Sequence, residues 1–314
     1  MATRTLDGPP SILPLYLRAA APMIPGASLL PFVPGRGKEI PELELVLSDV
    51  QADPERVAAY AKVCGFSLRD HLPPTYPHVL AFPLHMAVMA DGSFPFGAVG
   101  LVHVENRIVQ QRRIGLGEEL TIEVKPTKLQ SHPKGRTFSL LTKVRSGRQL
   151  VWESTSTMLR RGSGSSDKAE LHQISNPPDR EFDAVREGEL AATAEWELGG
   201  DLGRRYAGVS GDRNPIHMHA LTAKPLGFPR AIAHGMWTKA RCLAALESRL
   251  PDAFAVDVRF RKPILLPGRV ELASATDQED IYFAVRDPKS GAPHLDGHIE
   301  PLEAKPKDGG KKQR

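Results

Sequence analysis

The chain has 314 residues and a formal net charge of +4 at neutral pH. Its hydrophobic and charged fractions, 41% and 25%, are those of an ordinary globular protein, and its length suggests two domains that could each bury a core. Much of the positive charge lies in residues 303–314, which contain five Lys or Arg and two acidic residues. The rest of the chain is close to neutral and has no basic stripe with interleaved aromatic residues, which argues against a nucleic-acid partner.

The cysteine content and the amino terminus indicate the compartment. Cys64 and Cys242 are far apart in the sequence and lack the spacing of a metal site, so we predict buried free thiols in a reducing cytoplasm. The longest apolar stretch near the amino terminus, Ile12 to Leu17, is too short to span a membrane. It follows Asp7 and two prolines rather than the basic region of a signal peptide, so no membrane insertion is expected.

In chain order, the first half consists of a Pro- and Gly-rich leader, a short helix and several strands. We expect the leader, residues 1–37, to pack on the first domain. Alternating apolar residues over 42–47 predict a strand, and a helix is expected from Pro54 to about Val63. Turn residues separate the four strand-like runs that follow, which cover 99–109, 118–127, 136–145 and 149–160.

After a Gly-, Ser- and Pro-rich segment that is typical of a linker, the order of elements recurs. We predict a strand near 190–197, a short helix to about Val209, a long helix over 235–249 and strands from about 254. The apolar residues of the long helix lie on one face and are expected in the core: Met236, Ala240, Leu243, Leu246 and Leu250. The predicted units are a first repeat over 1–163, a linker over 164–185, a second repeat over 186–302 and a basic disordered tail over 303–314.

Two short sequence matches, in the same order in both halves, indicate a duplication. Residues 60–65 (Tyr-Ala-Lys-Val-Cys-Gly) match residues 206–211 (Tyr-Ala-Gly-Val-Ser-Gly) at four of six positions. Residues 76–81 match residues 228–233 at the Pro and the final Ala. The second half has six more residues between the two matches. The segment by which the halves differ carries the residues suited to catalysis, so we expect only the second repeat to be catalytic.

That segment combines a carboxylate and an imidazole with a stiff turn. Asn214 is a good N-cap residue and Pro215 suits the first helical position, so His217 would lie in the first turn of a short helix. The positive end of the helix would disfavour protonation of His217, and a neutral imidazole can both accept and donate a hydrogen bond to water. Asp212, on the loop before the helix, is then the candidate for removing a proton. An Asp and a His this close can also be purely structural.

The start of the long helix supplies a second candidate element. The first-turn amides of a helix have no intrahelical partner, and Gly235 would let a ligand carbonyl approach them, as an oxyanion requires. The alternative is that Gly235 only permits tight packing. The first repeat has Phe82 and Pro83 at the matching positions, and proline has no N–H to donate. Both elements are absent from one half and present in the other, which favours a single reaction centre.

The second half resembles the hydratase motif of MaoC-like dehydratases, the group that includes the type 2 enoyl-CoA hydratases. The resemblance covers residues 186–302 well and residues 38–163 more weakly, as in the two-domain members. It is carried by Tyr206, Ser210-Gly211-Asp212, Asn214-Pro215-Ile216-His217, Ala223, Gly227-Phe228 and Ala233-His234-Gly235-Met236.

This resemblance implies an α+β double hotdog fold, with a curved antiparallel sheet wrapped around a central helix in each repeat. It also implies (R)-specific syn hydration of trans-2-enoyl-CoA to (R)-3-hydroxyacyl-CoA, or the reverse dehydration, in fatty acid metabolism and without metal or organic cofactor. The first repeat would have lost catalysis and would help to accommodate the acyl chain. The implied catalytic pair is Asp212 and His217, and the oxyanion and substrate-binding positions are Gly235, Asn214, Ser210, Tyr206 and His234.

Several alternatives remain open from the sequence. The substrate could be carried by acyl carrier protein, as in a 3-hydroxyacyl-ACP dehydratase of fatty acid synthesis. A hotdog thioesterase would attack the carbonyl carbon and leave the turn before His217 unexplained, and a non-catalytic acyl-thioester binding module would not need both Asp212 and His217. A metal site from His217, His219 and His234 has no accompanying Cys, and the spacing of Asp212 and His217 is not a common zinc pattern. A monomer and a homodimer are both compatible with a duplicated hotdog, and we favour the homodimer.

Overall fold

The structure is a computed structural model that describes residues 2–21, 37, 39–162 and 190–302. The predicted linker and the predicted tail lie outside the described residues, so the domain boundaries placed there stay predictions. None of the described helices has the length and apolar character that a membrane-spanning segment needs.

The first half contains most of the strands of the sheet and three helices among the described residues. Its elements are β1 (Ala2–Leu6), α1 (Ile12–Ala20), β2 (Leu43–Val50), α2 (Pro54–Cys64), α3 (Tyr76–Met89), β3 (Leu101–Gln110), β4 (Leu120–Pro126), β5 (Gln130–His132), β6 (Gly135–Ser146) and β7 (Gln149–Arg161). The predicted strands and the helix from Pro54 are confirmed. The described residues of the leader form a strand and a helix that pack on the first half as expected, because β1 pairs with β2 and α1 contacts α3.

The second half repeats the order of elements and inserts short helices before its long one. Its elements are β8 (Ala191–Leu198), α4 (Leu202–Ser210), α5 (Pro215–Met218), α6 (Ala220–Ala223), α7 (Gly235–Ala245), β9 (Phe254–Phe260), β10 (Gly268–Asp277), β11 (Asp280–Arg286) and β12 (Pro293–Pro301). Short 3₁₀ turns cover Lys224–Leu226 and Glu247–Arg249. The long helix is therefore shorter than predicted, and its last turn tightens into a 3₁₀ turn, as helix ends often do.

The strands of the two halves form one continuous sheet. Its order is β1-β2-β4-β6-β7-β3-β9-β12-β11-β10-β8, with β5 paired to β6. Only β1 and β2 pair in parallel among these strands; the other pairs are antiparallel. The halves meet where β3 pairs with β9, from Glu105 opposite Arg259 to Gln110 opposite Phe254. The α+β class predicted from the sequence is confirmed.

The central helices begin at different points of the duplicated sequence. Pro83, which matches Gly235 in the duplicated sequence, lies inside α3, which begins at Tyr76. In the second half the matching residues form a loop, and the helix begins only at Gly235. The first half thus has no helix start at this position, in addition to having no N–H at Pro83.

One continuous apolar core includes residues of both α3 and α7. The predicted apolar face of α7 is confirmed, since Met236, Ala240, Leu243 and Leu246 are buried and Leu250 is partly buried. Both cysteines, which lie on α2 and α7, are buried free thiols as predicted.

A buried lysine attaches α7 to the junction of the two halves. Lys239 is fully buried, and its Nζ donates to the Asn106 carbonyl (3.0 Å), the Asn106 Oδ1 (2.6 Å) and the Val256 carbonyl (3.1 Å). Asn106 lies on β3, and its Nδ2 donates to the hydroxyls of Ser154 and Ser156 on β7, each at 3.0 Å. Burial lowers the pKa of Lys239, while three acceptors match the three N–H groups of its ammonium form.

We predict that Lys239→Met lowers the free energy of unfolding by about 2–4 kcal/mol, because it leaves buried acceptors of Asn106 and Val256 without a donor. Chemical denaturation measures this change. Lys62→Met, at an exposed position of α2, is the matched control and should stay within about 0.5 kcal/mol of the parent protein. Equal stability of the two variants would contradict the structural role assigned to Lys239.

Candidate active site

The turn before His217 forms as the sequence predicts. Gly211 ends α4 with a φ of 78°, a left-handed conformation that glycine adopts readily, and the chain then turns into Asp212. Asn214 is the N-cap of α5, and its side chain accepts a hydrogen bond from the Ile216 amide at 3.5 Å. The short helix therefore starts where the cap and the proline place it.

Ser210 supports this turn from inside the protein. Its Oγ donates to the Tyr206 carbonyl at 2.8 Å and accepts from the Asp212 amide at 3.2 Å. The Tyr206 ring is buried and lies 4.8 Å from the His234 ring, measured between centroids. Ser210 and Tyr206 thus hold the segment on which the carboxylate and the imidazoles are placed.

The two oxygens of the Asp212 carboxylate have different surroundings. Oδ1 accepts from the Asn214 amide at 3.1 Å and from the Tyr16 hydroxyl at 3.0 Å. The same Tyr16 oxygen accepts from the Arg213 amide at 2.7 Å. Oδ2 lies 3.9 Å from Nε2 of His234. Because two donors already occupy Oδ1, Oδ2 is the oxygen available to a small molecule.

The Asp212 carboxyl is held in its charged form. Burial raises its pKa, but the imidazoles of His234 and His217, the Asn214 amide and the Tyr16 hydroxyl together lower the pKa below its ordinary value. Hydrogen bonds to the ionised form of an acid favour that form. The result is an anion that can accept a proton.

Both histidines beside Asp212 are neutral. His217 Nδ1 lies 2.8 Å from the Ile232 carbonyl, which can only accept, so Nδ1 carries the proton and Nε2 has a lone pair. His234 Nε2 lies 3.0 Å from the Asp212 backbone carbonyl and is likewise the protonated nitrogen. Burial lowers the pKa of His217, and burial together with His217 lowers that of His234 to about 3. This direction agrees with the neutral His217 expected from the sequence, and burial rather than the end of the four-residue α5 is its main cause.

The same three side chains could offer ligands to a metal ion, since their nearest ligand atoms lie within 4.8 Å of one another. The rings of His217 and His234, however, stack with centroids 3.7 Å apart and an angle of 24° between their planes. The lone pair of a ring nitrogen lies in the ring plane, and planes so nearly parallel do not meet within a zinc–nitrogen bond of about 2.0–2.1 Å. His219, the third histidine considered from the sequence, is exposed and outside this group.

Gly235 lies at the first position of α7, next to the ring of Phe260. A Cβ at Gly235 would come within 3.0 Å of that ring, so close packing accounts for the residue type. Gly235 also begins the helix and lines a cavity, and the first N–H groups of a helix have no intrahelical acceptor. Both sequence interpretations of Gly235 are compatible with this geometry.

A cavity of about 1080 Å³ contains the candidate site. Elements of both halves line it, among them α3, β3, β6, β7 and the start of α7. It is open at one end, where the exposed side chains of Lys134, Arg161, Arg261 and Lys262 lie, and it reaches buried residues of α3 such as His85. All seven site residues predicted from the sequence line it: Tyr206, Ser210, Asp212, Asn214, His217, His234 and Gly235.

Tyr16 is a partner of Asp212 that sequence reasoning missed. It lies on α1, in the leader, 196 positions before the carboxylate that it contacts. The leader was expected to pack on the first domain, and α1 does contact α3. The Tyr16 hydroxyl also reaches the second half, where it contacts Asp212. The available signal was the apolar spacing of Ile12, Leu15 and Tyr16, which all pack against the core.

Comparison with known proteins identifies the family. Residues 174–293 match the model of the MaoC like domain. The chain is 36% identical over 293 residues to 3-hydroxyacyl-thioester dehydratase X of Mycobacterium tuberculosis, which covers 93% of this chain and 99% of that protein. It is 33% identical over 87 residues to the (R)-specific enoyl-CoA hydratase of Rhodospirillum rubrum, covering 26% of this chain and 60% of that protein. The chain belongs to the MaoC-like dehydratase family.

Solved structures agree with this assignment. The crystal structure of HtdX from M. tuberculosis superposes with a TM-score of 0.71 at 34% identity, covering 82% of this chain and all of that one. Another M. tuberculosis protein, described as a double hotdog, superposes with a TM-score of 0.50 at 14% identity over 85% of this chain and 96% of that one. The double hotdog fold predicted from the resemblance is confirmed.

We predict that Tyr16→Phe raises the pKa of Asp212, because it removes a hydrogen bond that favours the charged form. If Asp212 is catalytic, the acidic limb of the pH–rate profile moves to higher pH; NMR titration of the carboxyl carbon measures the pKa without assuming catalysis. Tyr60→Phe is the matched control, since it removes a buried hydroxyl that bonds to Thr75 at 2.8 Å instead. An Asp212 pKa that is the same in both variants and in the parent protein would refute the prediction.

Proposed function

We propose that the protein is a hydro-lyase that adds water to a trans-2-enoyl thioester to form an (R)-3-hydroxyacyl thioester, or catalyses the reverse dehydration, in fatty acid metabolism. The observation that supports this most directly is the meeting of an anionic carboxylate, Asp212, and a neutral imidazole, His217, in one cavity beside the first amide of α7. The names of the relatives, a 3-hydroxyacyl-thioester dehydratase and an (R)-specific enoyl-CoA hydratase, describe the same chemistry.

In the proposed mechanism, one water donates its two hydrogens to Oδ2 of Asp212 and Nε2 of His217. Hydrogen bonds of about 2.8 Å allow a water to bridge acceptors separated by less than about 5 Å. The side chains of Asp212 and His217 have ligand atoms within 4.8 Å of each other, which is compatible with such a bridge. The water oxygen then adds to the β-carbon while Asp212 takes one proton. A proton returns to the α-carbon on the same face, so the net change is the addition of one water.

The Gly235 amide has the proposed role of stabilising negative charge on the thioester oxygen as the β-carbon is attacked. A backbone donor aimed at such an oxygen lowers the activation barrier by on the order of 3–4 kcal/mol. Asn214 and Ser210 act indirectly by fixing the turn, and His234 supports Asp212 through the hydrogen bond to its carbonyl. Tyr206 packs against His234.

The open end of the cavity supports a phosphate-bearing carrier. Its exposed cations, Lys134, Arg161, Arg261 and Lys262, suit the phosphates of CoA or the phosphopantetheine arm of acyl carrier protein. The acyl chain then extends towards the buried end, formed by the first half. Hydration of CoA thioesters is the main proposal, and dehydration of 3-hydroxyacyl-ACP is the alternative with the same chemistry.

Two further expectations stay predictions. The buried free thiols of Cys64 and Cys242 fit a cytoplasmic location. The homodimer favoured from the sequence is an additional assembly, because the pairing of β3 with β9 already joins two hotdog sheets within one chain.

We predict that Asp212→Asn and His217→Gln each lower kcat for hydration of crotonyl-CoA by about 10²–10⁴, the usual contribution of a positioned acid or base. Loss of enoyl absorbance measures hydration, and a thiol reagent in a parallel assay measures hydrolysis. Asp201→Asn and His219→Gln, at exposed positions close in sequence, are matched controls that should retain activity. Release of free thiol by the parent protein would favour a thioesterase, and a fully active Asp212→Asn variant would refute the assigned role.

The role of the Gly235 amide can be tested by a proline at that position. Proline is tolerated at the first helical position, and His234 before it has φ −69° and ψ 137°, the extended conformation that suits a residue preceding proline. Phe260→Leu is included in both variants to relieve contact with the new side chain. We expect Gly235→Pro/Phe260→Leu to have a kcat about 10²–10³ lower than Gly235→Ala/Phe260→Leu. Equal kcat values for two folded variants would show that the amide is not the donor.

A further inference from the structure

Three histidines of the first half line the buried part of the same cavity. His78 and His85 lie on α3, on the face that also carries Phe82 and Met89, and His103 lies on β3. The His78 ring centroid lies 5.0 Å from that of His85 and 6.3 Å from that of His103. We call His78, His85 and His103 the histidine cluster.

Two nitrogens of the histidine cluster are buried and have no hydrogen-bond partner among the described residues. They are Nδ1 of His78 and Nε2 of His103. His85, in contrast, is fixed by a hydrogen bond of 2.8 Å between its Nε2 and the Thr142 hydroxyl. Buried polar atoms are nearly always paired, because an unpaired one loses its hydration without compensation. Unpaired nitrogens beside a cavity therefore indicate a ligand that bonds to them.

The histidine cluster lies on the acyl side of the proposed reaction centre. The ring of Phe260 contacts Gly235 on one side and lies 5.1 Å from the His103 ring, measured between centroids. His78 and His85 continue from His103 into the buried part of the protein. The exposed cations that suit a phosphate lie at the open end instead. The part of a bound thioester that reaches the histidine cluster is thus the acyl chain.

The histidine cluster is uncharged. Burial lowers the pKa of His78 to about 4 and that of His103 to about 3, and burial also lowers the pKa of His85 well below its ordinary value. A neutral imidazole donates one hydrogen bond and accepts one, so it matches a hydroxyl or a keto oxygen. A carboxylate would lose its hydration in this buried region. The nearby cations are already paired, because Lys239 bonds to three acceptors and Arg259 lies beside Glu105.

The nearby wall of the sheet is also polar. Thr137 and Ser139 on β6 and Ser156 and Thr157 on β7 line the cavity, and the hydroxyls of Ser139 and Thr157 lie 3.0 Å apart. An acyl chain of plain methylene groups gains nothing from such groups, since its burial is favoured by apolar contacts.

We propose that the histidine cluster binds a hydroxyl or keto oxygen on the acyl chain, so that the preferred substrates are oxygenated enoyl thioesters. This inference rests on the proposed function, because it assumes that an enoyl thioester occupies the cavity. It specifies the class of acyl group and assigns the first half a binding role beyond apolar packing.

The test compares enoyl-CoA thioesters of equal length that differ only at the far end of the acyl chain. For each length from hexenoyl to dodecenoyl, the protein is assayed with the plain, the terminal hydroxy and the terminal carboxy compound. We expect at least one hydroxy compound to have a kcat/KM roughly tenfold higher than its plain partner, the value of about one added hydrogen bond. The carboxy compound should be the poorest of the three. A plain chain preferred at every length would overturn the inference.

Variants identify the residues responsible. His78→Leu and His103→Leu should each reduce the hydroxy-to-plain ratio of kcat/KM to about one, and Met89→Leu, at an apolar lining position of α3, should preserve the ratio. Using a ratio corrects for partial loss of folded protein, and thermal denaturation checks each variant. An unchanged ratio in both histidine variants would refute the site. Absence of hydration with every enoyl thioester, crotonyl-CoA included, would instead refute the proposed function.

Discussion

The antiparallel pairing of β3 with β9 is the constraint on which the rest of the structure depends. It joins the half-sheets of the two repeats through consecutive residue pairs and places Arg107 opposite Asp257. Arg107 forms ion pairs across this junction with Asp257 and with Glu300, the latter at 2.8 Å. Lys239 then binds α7 to the same junction through Asn106 and Val256. The cavity lies between elements of both halves, so neither half could enclose it without this pairing.

The sequence was sufficient to predict the turn that carries Asp212 and His217. It was not sufficient to predict the residues that pack around this turn. The Asn214 cap and the proline after it act within a few residues, so local rules predicted their geometry. The contact between Tyr16 and Asp212 joins residues 196 positions apart and depends on the packing of α1, which no local rule specifies. Local rules also do not predict the position of Pro83 inside α3, because proline is disfavoured in the interior of a helix.

The electrostatics of the site follow from pairing one anion with neutral partners. Asp212 is stabilised by a hydroxyl, an amide and two imidazoles whose own pKa values are lowered by burial. A lysine or arginine at hydrogen-bond distance would hold the carboxylate more strongly and make it a weaker proton acceptor. Neutral donors on Oδ1 orient the carboxylate while Oδ2 remains available. The site thus combines fixed geometry with an anion that is not neutralised by a full positive charge.

The same reasoning extends to the polarity of the whole cavity. If the cavity served only to bury a hydrocarbon chain, the protein would be more stable with leucine than with histidine at these positions. Each imidazole nitrogen without a partner loses its hydration without compensation. The first half has no counterpart of the Asp–His pair, yet it retains His78, His85 and His103 on the cavity wall. Their cost to stability is offset when a ligand supplies the missing hydrogen bonds. Exposed cations, the Asp212 carboxylate and buried neutral imidazoles line one cavity. This set matches a thioester that is anionic at its carrier, reactive at its centre and polar but uncharged at its far end.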